Sequence, residues 1–88
     1  MSIKKKGIPT YIVEIIARKG GRMTRARKDI ILYLLQSKTP QSIQEVVQSV
    51  HADEVSVYRT IALLKSCGLL EEIIFPHGAR KYALSHEH

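Results

Sequence analysis

The stretch from Asp53 to Gly68 constrains this chain more than any other. It reads as one helix with a start signal, an apolar stripe, a polar outer face and a glycine stop. Asp53 suits the N-cap, and Glu54 places negative charge where the helix dipole favours it. Val57, Ile61 and Leu64 recur at i, i+4 and i+7, so one narrow face is apolar. Arg59 points away from that stripe, Ser56 and Thr60 lie beside it, and Tyr58 falls on the other flank. Gly68 suits the position just past the helix end. A packed helix that shows Tyr, Arg, Ser and Thr near its own N-terminus has the layout needed to read a DNA groove. A capped amphipathic helix with one outward arginine also occurs in domains that never meet DNA, so the rest of the chain decides.

Charge is the second constraint. The chain has 88 residues and a net charge of +6. Nine of its 14 bases lie in the first 28 residues, with Glu14 the one acid there. The other 60 residues hold five bases and seven acids. Lys4 to Lys6 read as a solvated arm. Arg18 to Lys28 lie within or between structured elements, and a basic third of this kind is the footprint of a phosphate-binding face. A single Cys excludes an intrachain disulfide and a four-Cys zinc site. No apolar run approaches the roughly 20 residues that span a bilayer, and the lysines at the start precede no signal-type apolar core. These features predict one small cytoplasmic domain with no membrane partner.

The periodicity predicts helices before and after the basic stretch. Ile8, Ile12, Ile15 and Ile16 form a first amphipathic helix with Pro9 in its first turn, ended by Lys19-Gly20-Gly21. Thr24 caps a second helix through Gln36, with Met23, Ile30, Ile31, Leu34 and Leu35 inward and Arg25, Asp29 and Leu32 outward. Arg27 falls on the stripe's edge, its stem along the core and its head near the helix start. Residues 37–41 read as a turn. Ser42-Ile43-Gln44-Glu45 matches a capping box for a short third helix carrying Ile43, Val46, Val47 and Val50 inward. His51-Ala52 is a linker short enough to make a helix-turn-helix pair. Leu69 to Phe75, a turn over Pro76 to Ala79, and Arg80 to Leu84 read as a hairpin, with Glu71 and Glu72 at its start. The predicted class is mainly α with a small β-hairpin, a winged helix-turn-helix.

Several motifs in order carry a resemblance: Arg22-Met23-Thr24-Arg25-Ala26-Arg27, then Ser42-x-x-Glu45, then Ser56-Val57-Tyr58-Arg59-Thr60-Ile61, then Gly68-Leu69, then Gly78-x-Arg80-Lys81-Tyr82-x-Leu84. Together they resemble the DNA-binding half of the ferric uptake regulator (Fur) family over nearly the whole chain. The resemblance implies a sequence-specific DNA-binding domain of a metal-responsive regulator, a repressor, with the helix 53–67 in the major groove. It implies base contacts from Tyr58 and Arg59, and phosphate or base-edge contacts from Ser56 and Thr60. It implies that Arg22 reaches toward the minor groove, with Arg25 also on the DNA side. Arg80 and Lys81 would touch phosphates from the wing, or else are charges on an exposed edge strand. Tyr82 packs under the wing.

The chain departs from the family pattern in two places. Ala26 stands where a Gln is usual, and Thr39-Pro40-Gln41 lacks the histidine that precedes the capping Ser in many relatives. His86 and His88 resemble the start of a His-rich hinge and are the candidate metal ligands, or else a frayed end; a site needs about four ligands held in place. Cys67 reads as an unligated thiol away from the core stripe. The expected division is a basic arm over 1–7, the domain over 8–84, and a hinge from 85–88 toward a dimerisation domain. The domain itself requires no cofactor; zinc or iron would belong to a longer parent. The partner is double-stranded DNA, bound by a monomer or weak dimer, with a homodimer implied where a C-terminal domain follows. Two alternatives stay open: a winged-helix protein-interaction module, supported by an outward Leu63, and a short regulator without its own metal sensor. The residues suggest no enzyme.

Overall fold

Local capping chemistry sets where most of the helices begin. In the computed structural model, which describes residues 7–85, helix α2 (Arg25–Gln36) starts where Thr24 Oγ1 accepts from the Arg27 backbone N–H at 3.2 Å. Helix α3 (Ile43–Val50) carries the full capping box: Glu45 N–H donates to Ser42 Oγ at 3.1 Å, and Ser42 N–H donates to Glu45 Oε1 at 2.8 Å. Helix α4 (Glu54–Ser66) starts on Asp53, which accepts from the Ser56 N–H at 3.1 Å and the Ser56 hydroxyl at 2.7 Å. Helix α1 (Thr10–Arg18) has no side-chain cap. Pro9 sits at its N-cap position, just outside the first turn expected for it, and its carbonyl accepts from the Ile12 N–H at 3.1 Å.

Helix α4 stops as its glycine requires. Gly68 takes a φ of 73°, its N–H donates to Lys65 O, and the Leu69 N–H donates to Leu64 O, both at 3.0 Å. This paired closure satisfies carbonyls that a helix end leaves open. Leu69 is buried beside the core as part of that closure, so strand β1 (Leu70–Ile74) begins one residue later than predicted. Strand β2 (Arg80–Leu84) pairs with it antiparallel, from Leu70↔Leu84 to Ile74↔Arg80. Glu71 and Glu72 follow Leu70 at the start of β1, where the sequence places them. Gln41 departs further from its predicted turn: it exchanges two 2.8 Å backbone hydrogen bonds with Tyr82 and so adds a one-residue bridge to the hairpin.

The core is the set of faces that periodicity marks. Ile12 and Ile16 of α1, Ile30, Ile31 and Leu34 of α2, Ile43 and Val46 of α3, and Val57, Ile61 and Leu64 of α4 close on Leu69, Tyr82 and Leu84. Leu63 and Cys67 also pack partly buried against this core. That corrects both residues' predicted outward placement and removes the support Leu63 lent to a protein-docking face. Among the described residues no helix is long and apolar enough to cross a membrane.

Candidate nucleic-acid interface

One side of α4 is committed to the core and the other is bare. Val57, Thr60, Ile61 and Leu64 are buried. Val55 is 56% exposed, Tyr58 is 54% exposed, and Arg59 and Ala62 are also exposed. At 3.6 residues per turn, Val55 falls opposite the buried face, and Tyr58 and Arg59 flank it one turn later. The Asp53 carboxyl is held below its usual range by the Ser56 hydroxyl and then by the Ser56 backbone N–H. The acidic cap is therefore occupied within the helix start.

Thr60 is a correction. It is 1% exposed, and its hydroxyl donates to the Ser56 carbonyl at 2.9 Å. At that burial only an edge of Thr60 reaches the surface, where it helps to line the cleft beside Arg59. Ser56 is half-buried, with its hydroxyl bonded to Asp53.

Two clefts flank the exposed stripe. The first, of about 280 Å³, is lined by Arg22, Thr24, Ala26, Arg27, Ser56, Arg59 and Thr60. It brings three guanidinium-bearing residues together with no acidic residue in the lining. Among the described residues none of the three forms an ion pair. Arg27 Nη1 donates to the Arg22 carbonyl at 2.8 Å, which ties the start of α2 to the preceding link. That link runs close to the helices because residue 21 is glycine: a Cβ there would lie 2.9 Å from Ile16 Cγ2 and 3.2 Å from Leu63 Cδ2. The close approach is what brings Arg22 to the side of α4. Like charges gathered at one surface raise the local potential and favour an anion, and guanidinium groups suit phosphate geometry. Sequence reading missed Arg27 as a member of this set, because its partners lie on another helix. Arg25 is exposed at the first position of α2, outside this cleft.

The second cleft, of about 450 Å³, lies between the start of α3, Tyr58 of α4 and the wing residues Ala79, Arg80 and Tyr82. Its one lining cation, Arg80, and the nearby Lys65 and Lys81 are partnered within the domain. Arg80 Nη1 and Lys65 Nζ each lie 3.0 Å from a different Glu72 oxygen, and Lys81 Nζ lies 3.6 Å from Glu45 Oε1. The Lys65 ammonium beside Glu72 is the main cause holding that carboxyl below its usual range, with Arg80 adding to it. The Ser42 backbone N–H does the same for Glu45. Burial pushes the Tyr82 phenol up, and Glu72 beside it adds to the shift. Tyr82 is buried under the wing, as predicted.

The histidines divide. His51 closes α3 with a φ of 55° and is exposed. His77 stacks on Phe75 at the wing tip, ring centroids 5.8 Å apart. His86 and His88 lie outside the described residues. Among the described residues no three His, Cys, Asp or Glu gather to hold a metal ion.

Residues 18–88 match the ferric uptake regulator family. Comparison with curated protein sequences gives no significant match. Among solved structures, the chain resembles PerR from Streptococcus pyogenes, a protein of peroxide sensing and gene regulation, at TM-score 0.78 and 21% identity, covering 94% of this chain and 62% of that one. It resembles the Helicobacter pylori regulator Fur, described with three functional metal-binding sites, at TM-score 0.78 and 18% identity, covering 96% and 63%. It resembles the Vibrio cholerae Fur at TM-score 0.70 and 22% identity, covering 85% and 62%. The chain thus spans a little under two thirds of these relatives' length, and at such identities the likeness is one of fold. The family match and the arrangement of four helices with a two-stranded wing agree: the chain belongs to the ferric uptake regulator family and carries its winged-helix DNA-binding fold.

Proposed function

We propose that this chain is the sequence-specific DNA-binding domain of a cytoplasmic, metal-responsive repressor. In this reading α4 enters the major groove. Arg59 takes a guanine edge, and Tyr58 packs on a base or reaches the backbone. Arg22 and Arg27 hold a phosphate in the cleft beside Arg59, with Ser56 at its rim. Arg25 adds long-range attraction from the start of α2. Arg80 and Lys81 approach the backbone from the wing by exchanging their carboxylate partners for phosphate. Thr60 supports the helix from inside and takes no part. Metal response and homodimer formation belong to a parent protein with a further domain; there His86 and His88 would begin the hinge.

The observation that carries the reading is the cleft in which Arg22, Arg27 and Arg59 meet with no acidic residue in its lining, directly beside the exposed face of a capped helix. The test is to select duplexes from a random pool with this chain, then titrate selected and scrambled duplexes by fluorescence anisotropy over a range of salt. The expected result is tighter binding to the selected duplex. Affinity should also fall steeply with salt, with a log–log slope of about −0.9 per phosphate neutralised. Affinity independent of salt would overturn the proposal.

A further inference from the structure

The exposed face of α4 has an apolar residue at its centre that the fold does not use. Val55 is 56% exposed on the first turn, opposite the buried face. A β-branched residue is a weak helix former, and this one packs into no core. The acidic groups around it have partners: Asp53 is bonded by Ser56, and Glu54 Oε2 accepts from Gln44 Nε2 at 3.2 Å. Tyr58 and Arg59 stand one turn further along on either side. The N-terminal turn of a groove-entering helix is the part that approaches base edges. A short isopropyl group there cannot hydrogen-bond, so it can discriminate only by apolar contact. The apolar feature of the major-groove edge is the 5-methyl group of a pyrimidine, that of thymine in unmodified DNA.

We infer that Val55 is a specificity residue that reads a pyrimidine 5-methyl group next to the base read by Arg59. The inference rests on α4 being the helix that enters the groove. Its contribution is distinct from theirs: Arg59 supplies charge and a hydrogen-bonding fork, while Val55 separates thymine from a base without the methyl.

The test uses the selected duplex and replaces each thymine singly with uracil, which removes the methyl and leaves the pairing intact. Wild type should lose about fourfold in affinity at one thymine, the factor for one buried methyl-sized group. Val55→Ala, at an exposed position with no packing to lose, should bind the thymine and uracil duplexes equally, within about 1.5-fold. Replacing each cytosine with 5-methylcytosine separates the two sources of the methyl: a gain confined to those duplexes assigns the reading to methylated cytosine. The inference is overturned if no methyl change affects wild type, or if the methyl effect is undiminished in Val55→Ala. Failure of wild type to prefer any sequence would instead overturn the placement of α4 in the groove.

Discussion

Replacing Arg59 separates the two tasks an arginine can perform at this surface. Its side chain stands on the exposed face of α4 and lines the cleft shared with Arg22 and Arg27. No carboxylate pairs with it among the described residues. Arg59→Ala therefore removes no internal ion pair and relieves some repulsion between like charges. Its folding stability should stay within about 0.5 kcal/mol of wild type, the usual range for a surface change. On DNA the loss of a bidentate guanine contact is worth about 1–3 kcal/mol, or roughly 5- to 150-fold in affinity for the selected duplex. Binding to a scrambled duplex should weaken much less. Arg59→Lys keeps the charge and loses the fork, so it should keep the salt slope of wild type while losing most of its preference for the selected sequence. Anisotropy titrations of the three proteins on both duplexes at several salt concentrations measure every one of these quantities. If Arg59→Ala instead weakens both duplexes equally and flattens the slope by about 0.9, Arg59 is a phosphate contact alone and reads no base.

Three further outcomes follow from the packing and the charges. Gly21→Ala pushes a methyl against Ile16 Cγ2 and Leu63 Cδ2; overpacking of this kind costs about 1–3 kcal/mol, so thermal unfolding should show a Tm lower by roughly 4–20 °C, and an unchanged Tm would mean that the link is not tightly seated. Thr60→Val removes the buried hydroxyl that donates to Ser56 at nearly constant volume; DNA affinity should stay within about twofold, since lost hydrogen bonds of this type act on folding and not on the bound face, and a loss as large as that of Arg59→Ala would restore Thr60 as a DNA contact. Glu45, Asp53 and Glu72 all have carboxyls held below their usual range in the fold. The unfolded chain takes up their protons first, so the stability they confer is complete at neutral pH. It declines as pH drops below 4.5 for the glutamates and 3.8 for Asp53, and is gone below the depressed folded values. Urea midpoints measured down through that window should fall, and fall less in Glu72→Gln; a variant that tracks wild type would show that Glu72 is not one of the titrating groups.

What was legible in the sequence is what depends on neighbours within one or two turns. Thr24, the Ser42–Glu45 box, Asp53 and Gly68 each work through backbone groups three or four residues away, and the structure forms each as predicted. The apolar stripes were legible for the same reason, since 3.6-residue periodicity needs no partner to be seen. The misread residues sit at stripe edges, where a distant element decides their fate. Thr60 borders the stripe of α4 and is buried. Leu63 is covered from the Gly21 link, an approach that a glycine permits and no periodicity announces. Gln41 pairs with Tyr82 across most of the domain as a single bridge, too short to leave an alternating pattern. The candidate site divides the same way. Tyr58 and Arg59 are visible as outward residues of one helix, but the meeting of Arg59 with Arg22 and Arg27 is a product of tertiary packing.

The wing cations and the arginines of the first cleft are held in opposite ways, and the difference bears on how the domain can grip a duplex. At the wing, Glu72 holds both Arg80 and Lys65, and Glu45 faces Lys81. Exposed pairs like these gain little over water, so Arg80 can turn to a phosphate while Lys65 still satisfies Glu72. The wing can therefore adjust to the backbone path without leaving a carboxylate unpartnered. At the Arg22–Arg27–Arg59 cleft no such exchange exists, because the lining offers no acid to give up. An anion from outside is the counter-charge that cleft can take, and the close seat of the link at Gly21 holds Arg22 beside it. In the proposed binding mode the committed cleft would set where the backbone lies relative to α4, and with it which bases face Val55, Tyr58 and Arg59. The wing would then adapt to a register already chosen.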